Sequence, residues 1–186
     1  LSFKSGQNWD NAMQKLFRIH SKNEKQEDFC IVHIGDSHIQ GDYFSGEIRN
    51  QLQSVFGNAG RGILFPYSLI SSFGPRGCTS SKTGTWSHAN WMTSSDDAPT
   101  GLSGYGLFSS QPGSGLSFSL NEKFEDRVFS SIKIYHSAGS QSFDLKPGKG
   151  FEKTESAIDS TEWTVSTFSS PKDTSAFSFS IQGSRP

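Results

Sequence analysis

Three residues with the chemistry of an active site lie together in this sequence, where Asp36, Ser37 and His38 follow directly on Gly35. A serine on a tight turn between a strand and a helix exposes its hydroxyl. Backbone N–H groups of such a turn can stabilise an oxyanion. We therefore predict that Ser37 is the nucleophile of an acyl-transfer reaction.

Two other interpretations of this cluster remain open. Asp36 and His38 also fit the Asp-x-His opening of calcineurin-like metallophosphoesterases, in which a carboxylate and an imidazole bind one ion of a two-metal site. Glycine, aspartate and serine are in addition good turn residues in their own right, since their side chains cap nearby backbone groups. His38 is as consistent with a supporting position at the turn as with contact to a substrate.

Two helices and a strand must position the cluster. The apolar run Phe29 to Ile34 predicts a strand that is buried on both faces, as in a parallel sheet. Apolar spacing near 3.6 residues predicts a helix over Asn8 to Ser21. A second amphipathic helix is predicted after Ser37, with Asp42 as its N-cap. The apolar side chains of this second helix are Phe44, Ile48, Leu52 and Val55.

The chain changes character after a further short apolar run, Ile63 to Phe65, that Pro66 closes. Serine, glycine and threonine become abundant, and the short apolar runs alternate as in half-buried antiparallel strands. The alternating positions are Leu116, Phe118 and Leu120; Ile132, Ile134 and His136; and Phe177, Phe179 and Ile181. Turn signals at Gln111 to Gly113, Lys146 to Gly148 and Ser170 to Lys172 are spaced as in a β-sandwich.

These patterns predict a β-rich chain in two parts. Residues 1–66 form an α/β segment, and residues 67–186 form an all-β sandwich or jelly-roll module inserted in it or following it. Two strands and two helices bury too little surface to be stable alone. Either the α/β segment packs on the sandwich, or the rest of its sheet lies outside these residues.

The cluster and its flanks resemble block I of the SGNH/GDSL hydrolases. The matching residues are Gly35-Asp36-Ser37-His38, after the apolar strand, and Tyr43 to Arg49 in the following helix. With Gly60-Arg61-Gly62 and a long β-rich stretch behind them, the chain is similar to SGNH esterases that carry an inserted, carbohydrate-binding-like jelly roll. Peptidoglycan O-acetylesterases are members of that group.

The resemblance implies an incomplete flavodoxin-like α/β sheet and a serine ester hydrolase. Ser37 would be the nucleophile and its backbone N–H an oxyanion donor, Asp36 would shape the turn, and His38 would support the site. The implied substrate is a carbohydrate or peptidoglycan ester, with the O-acetyl group as the natural acyl group. Such a substrate in turn implies a periplasmic, cell-surface or secreted protein.

The other sequence blocks of that family are missing from these 186 residues. The chain has no Asn-Asp dipeptide, and none of its five histidines follows an aspartate at the Asp-x-x-His spacing. A serine without its general base keeps a poorly nucleophilic hydroxyl. We therefore expect this chain alone to be inactive, and the natural chain to continue past Pro186 with both blocks.

Composition excludes several classes of partner and cofactor. Seventeen basic and eighteen acidic residues leave a net charge of −1, which does not attract nucleic acid or an anionic membrane. No apolar run is long enough for a transmembrane segment. The two cysteines define neither a disulfide framework nor a metal site, and Cys30 is expected to be a buried apolar residue. We predict no metal and no cofactor.

The β-rich region contains one segment typical of a glycan platform. Trp86 and Trp91 flank a histidine and an asparagine on a predicted loop, and their indoles could stack on sugar rings. We therefore name both tryptophans as ligand-binding candidates. This segment also supports the alternative that the protein is a non-catalytic module that binds a glycan or a cell-surface partner.

Overall fold

The structure is a computed structural model that describes residues 7–22, 30–92, 100–121, 125–137, 143–158 and 163–183. About 40% of the described residues lie in strands and 23% in helices, so the predicted β-rich composition is confirmed. The described residues include three α-helices. These are α1 (Gln7–Lys22), α2 (Ser37–Gln40) and α3 (Phe44–Phe56).

The two predicted helices both form, as α1 and α3. The predicted N-cap of α3 is wrong, because Tyr43 occupies that position without a side-chain cap. Asp42 lies one residue further out, with a φ of 57° that few residues other than glycine adopt. Its carboxylate accepts hydrogen bonds from Arg49 and Arg61 instead.

In the part of the chain that the structure describes, nine strands form three antiparallel sheets. The strands are β1 (Cys78–Thr83), β2 (Ser87–Asn90), β3 (Tyr105–Phe108), β4 (Gly115–Leu120), β5 (Phe129–Ser137), β6 (Asp144–Pro147), β7 (Glu152–Ile158), β8 (Trp163–Thr174) and β9 (Ala176–Gln182). The sheets have the strand orders β1-β4-β9-β6, β5-β8-β7 and β2-β3. All three strands predicted from alternating apolar residues form, as β4, β5 and β9.

The hydrophobic core lies between the two larger sheets. Leu116, Phe177 and Phe179 face inward from the first sheet, and Phe168 faces them from β8 with no exposed surface. The rings of Phe151 and Phe177 meet edge to face at 4.8 Å between centroids. Each of these side chains contributes about 1.5 to 3 kcal/mol through burial, so this sandwich is the stable body of the protein.

The predicted buried strand before Ser37 does not form. Residues 30–35 are neither helix nor strand, and Ile31, Val32 and Ile34 expose 52%, 77% and 89% of their surface. Cys30 is exposed as well, so the expectation that it is buried is also wrong. A strand needs a neighbour for its backbone hydrogen bonds and for its apolar faces, and the described residues supply none here. Phe29 lies outside the described residues.

The second apolar run, Ile63 to Phe65, does not form a strand either. Residues 57–66 are irregular, and Ile63 is 73% exposed. Phe65 instead stacks on Tyr105 at 5.5 Å and meets the ring of Tyr67 at 5.1 Å. The parallel α/β sheet expected for residues 1–66 is therefore not formed by the described residues.

The predicted turns have mixed outcomes. The turn at Gln111 to Gly113 forms, and the Ser114 N–H donates to the Gln111 carbonyl at 3.1 Å. The turn predicted at Ser170 to Lys172 is wrong, because these residues lie within β8. Along β8, the pairing with β5 passes from Ser169 directly to Thr174. Pro171 therefore lies in an unpaired bulge, where its lack of a backbone N–H costs no hydrogen bond between the strands.

Candidate active site

The backbone of the Asp36–Gly41 turn is ordered by its own hydrogen bonds. The Asp36 carbonyl accepts from the N–H groups of Ile39 and Gln40 at 2.9 and 3.2 Å, and the Gly41 N–H donates to the Ser37 carbonyl at 2.8 Å. Ser37 is thus the first residue of the one-turn helix α2. The N–H groups of Ser37 and His38 precede the first hydrogen bond of that helix and point away from its carbonyl end.

The hydroxyl of Ser37 is exposed and has only a weak partner. It lies 3.5 Å from Oδ1 of Asp36, which is at the long limit for a hydrogen bond. The imidazoles nearest in sequence pack elsewhere: His38 meets the Tyr43 ring at 6.5 Å, and His33 meets the Phe44 ring at 5.1 Å. Ser37 is therefore accessible to a ligand, but neither of these two imidazoles is shown acting as its base.

A loop from the β-rich region closes one side of this turn. Nε2 of Gln40 donates to Oγ of Ser72 at 3.0 Å and to the carbonyl of Phe73 at 2.7 Å. The Arg76 N–H donates to the Gly41 carbonyl at 3.1 Å. These contacts cross the expected domain boundary between residues 66 and 67, and the sequence carried no signal for them.

A cluster of four charged side chains joins α3 to the sandwich region. Arg49 binds the Asp42 carboxylate with two nitrogens, at 2.6 and 3.0 Å, and reaches Asp126 with Nε at 2.8 Å. Arg61 donates to Asp42 at 3.0 Å and lies 3.7 Å from Asp126, and it also bonds the carbonyl of Arg76. The side chains of Asp126 and Arg61 are 0% and 3% exposed. Charges this buried are tolerated because each carboxylate is paired with both guanidinium groups.

The charge cluster changes the ionisation of its members. Burial alone would raise the pKa of Asp42, but the hydrogen bonds from Arg49 and Ser45 and the charge of Arg49 outweigh it, so the pKa is lowered. The hydrogen bond to Asp42 raises the pKa of Arg49 against its own burial. Asp42 and Arg49 therefore remain charged at neutral pH, and the cluster they belong to anchors the helix that follows Ser37.

Sequence reasoning identified only the apolar side chains of α3 and missed this cluster. A signal was present, because Asp42, Gly46 and Arg49 recur at four and three residues, which places them on one side of the chain. A Cβ at Gly46 would lie 3.1 Å from the Asp42 carboxylate, so glycine permits the close approach. The buried residue of α3 is Gly46, on this polar side, whereas Phe44 and Val55 are 59% and 53% exposed.

The structure does not bring the two candidate tryptophans together. Trp86 packs against the hydrophobic core and donates its indole N–H to the Thr83 carbonyl at 2.9 Å. Trp91 is 69% exposed, with its ring against the backbone of Gly104. The residues between them form β2 and not the predicted loop. Trp86 is thus a packing residue, and Trp91 alone keeps an accessible indole.

Within the described ranges, no three His, Cys, Asp or Glu side chains are grouped in a way that could hold a metal ion. In the same part of the chain, no helix combines the length and apolar character needed to cross a membrane. Neither a protein-family model, nor a curated protein, nor a solved structure matches the chain. The function is therefore argued from the residues of the site.

Proposed function

We propose that this chain carries the nucleophile of an SGNH-type serine esterase that cleaves acyl esters, O-acetyl esters in the first instance, of carbohydrate or peptidoglycan. The observation that carries the proposal is the exposed Ser37 hydroxyl at the first residue of a tight helical turn. A serine in this position can approach an ester carbonyl without moving the backbone. The Ser37 N–H would donate to the oxyanion, and Asp36 orders the turn through its carbonyl.

The proposal includes a general base from chain beyond these residues. Ser37 has Asp36 as its described side-chain partner, and a carboxylate alone at 3.5 Å does not create a nucleophile. The same chain would supply the strands of the flavodoxin-like sheet. The exposure of Ile31, Val32 and Ile34 supports this part of the proposal, because side chains of this type are typical of a buried parallel strand.

The substrate and the location follow from the same resemblance. An esterase of this kind would meet its carbohydrate or peptidoglycan substrate in the periplasm, at the cell surface or outside the cell. The sandwich would hold the glycan near the turn, since loop residues Ser72 to Arg76 at the edge of the sandwich bond directly to Gln40 and Gly41.

The test uses a longer natural chain that contains an Asp-x-x-His block. We expect it to hydrolyse acetyl esters and to react with a fluorophosphonate probe, and we expect Ser37→Ala to abolish both. The matched control is Ser54→Ala, which removes an exposed hydroxyl from α3 and should change neither reaction. Labelling that survives Ser37→Ala would overturn the esterase proposal.

A second candidate function is a non-catalytic module that binds a glycan or a cell-surface partner. The exposed indole of Trp91, beside Met92 with the same 69% exposure, favours it. Binding of this chain to a glycan array, lost in Trp91→Ala and kept in Trp86→Phe, would support the module. An array without signal would leave the esterase as the only proposal.

A further inference from the structure

The loop that closes the Ser37 turn, residues 71–76, is stabilised by contacts with the short helix that precedes it. It starts where Ser71, in the left-handed conformation with a φ of 57°, ends a short 3-10 helix over Tyr67–Ile70. The Ser72 N–H donates to the Tyr67 carbonyl at 3.0 Å. A Cβ at Gly74 would lie 3.3 Å from Cβ of Tyr67, so the loop doubles back closely on this tyrosine. Tyr67 is itself fixed, since its ring meets that of Tyr105 at 5.8 Å.

The loop is also tied to the turn at both of its ends. Gln40 binds Ser72 and Phe73 near the start, and Arg76 bonds the Gly41 carbonyl at the end. The Arg76 guanidinium lies over the Tyr43 ring at 5.0 Å from its centroid. Loop and turn therefore form a single hydrogen-bonded wall, although more than 30 residues separate Gln40 from Ser72.

This wall presents an apolar ring to solvent. Phe73 is 90% exposed, although its own carbonyl is held by Gln40. Tyr43, on the turn side, is 58% exposed. An exposed aromatic ring, on a loop whose backbone is hydrogen-bonded to the turn that carries Ser37, is a ready ligand contact, because covering it removes apolar surface from water and needs little further ordering of the backbone.

We propose that Phe73 is a substrate-contacting residue of the Ser37 site, and that its ring packs against the apolar face of a sugar whose ester lies over Ser37. Gln40 acts as a positioning residue, because its two hydrogen bonds hold the Phe73 backbone against the turn. This inference rests on the proposed carbohydrate esterase for its ligand class. It identifies the residue that distinguishes a glycan ester from a small acetyl ester.

Binding to the 186-residue chain tests the inference without requiring catalysis. The probe is an O-acetylated disaccharide of N-acetylglucosamine, titrated while the backbone amide resonances are followed by NMR. We expect shifts in residues 36–41 and 71–76, and a binding constant about tenfold weaker in Phe73→Ala. Phe73→Tyr, which keeps an aromatic ring, should bind the probe as tightly as the parent chain does. Leu102→Ala is the matched control, because Leu102 is equally exposed, at 89%, on a different loop.

The possible results separate this inference from the proposed function. Absent binding, or equal binding by Phe73→Ala and the parent chain, overturns the role of Phe73 whatever the catalytic result. Binding that depends on Phe73, combined with a longer chain in which Ser37→Ala changes no hydrolysis, establishes the contact and overturns the esterase. Binding lost equally in Leu102→Ala would show a general effect on the fold and would also overturn the inference.

Discussion

His136 illustrates how the surroundings of one residue set its chemistry. Sequence alternation placed it on the inner face of β5, and there its Nε2 lies 2.9 Å from Oγ of Ser166, which is fully buried. Burial lowers the pKa of His136, and the charge of Lys153 acts in the same direction, while the Ser137 carbonyl opposes both. The folded protein therefore favours the neutral imidazole.

We predict a loss of stability on acidification that depends on His136. Its pKa is about 6.5 in the unfolded chain and lower in the folded protein, so below pH 6.5 the unfolded chain binds the proton first. The free energy of unfolding should thus be highest above pH 6.5 and should fall as the pH drops towards the folded pKa. Urea denaturation from pH 7.5 to 5.5 measures this slope.

Two variants check that His136 causes this pH dependence of the free energy of unfolding. His136→Gln should flatten it, since glutamine does not titrate. His88→Gln, in which an exposed imidazole is removed, should leave the slope unchanged. A His136→Gln protein with the parent slope would contradict the prediction.

The helix α3 shows that an element can be predicted correctly while its anchoring contacts come from polar residues outside its apolar set. Its extent follows from apolar spacing, yet its anchoring contacts are Arg49 to Asp42 and Asp126, with Arg61 completing the cluster. Apolar spacing indicates a helix, but the packing partner decides which face is buried. Phe44 and Val55 are more than half exposed, and the paired charges of Arg49 supply the attachment instead.

We predict that Arg49→Met destabilises the protein by about 3 to 5 kcal/mol, because it leaves two buried carboxylates short of a cation. Urea denaturation measures the change. The control is Lys153→Met, which removes a salt bridge to a largely exposed Asp144 and should cost under about 1 kcal/mol. Equal effects of both substitutions would show that the charge cluster does not anchor α3.

The whole molecule combines a well-packed sandwich with a region whose apolar residues are uncovered. Leu116 and Phe177 are 6% and 4% exposed, whereas Val32 and Ile34 are 77% and 89% exposed. A sequence-based estimate of burial treats these residues alike. Exposed runs of this kind bind other apolar surfaces or dyes, because water is displaced from them without unfolding.

We predict that the paired substitution Val32→Ser and Ile34→Ser lowers the binding of a hydrophobic fluorescent dye and reduces self-association, measured by fluorescence and by analytical ultracentrifugation. The free energy of unfolding should change by less than about 0.5 kcal/mol, because neither side chain is buried. Leu116→Ser, in the core, should have the opposite effects. A large loss of stability in the paired variant would show that residues 30–35 are packed.

Local patterns therefore predicted some parts of the molecule and not others. The strands β4 and β9 could be predicted because the alternation of apolar and polar residues is a local property of the sequence. The two strands pair with each other, and the apolar residues of one lie opposite those of the other. The turn at Ser37 was found from its residue types. The loop residue Phe73 was missed, since nothing local indicates that Gln40 reaches it across 33 residues.

What the amino-acid sequence determined by itself is periodicity: the extent of α1 and α3, the alternating strands, and the position of Ser37 after a glycine turn. Tertiary structure alone decided which surfaces are covered. Burial requires a partner from elsewhere in the chain, so Ile34 is exposed, Trp86 packs against the core, and Arg49 is half-buried between two carboxylates. For the same reason only the fold could bring Phe73 to the turn that carries Ser37, because that contact depends on long-range hydrogen bonds of Gln40 and not on residue order.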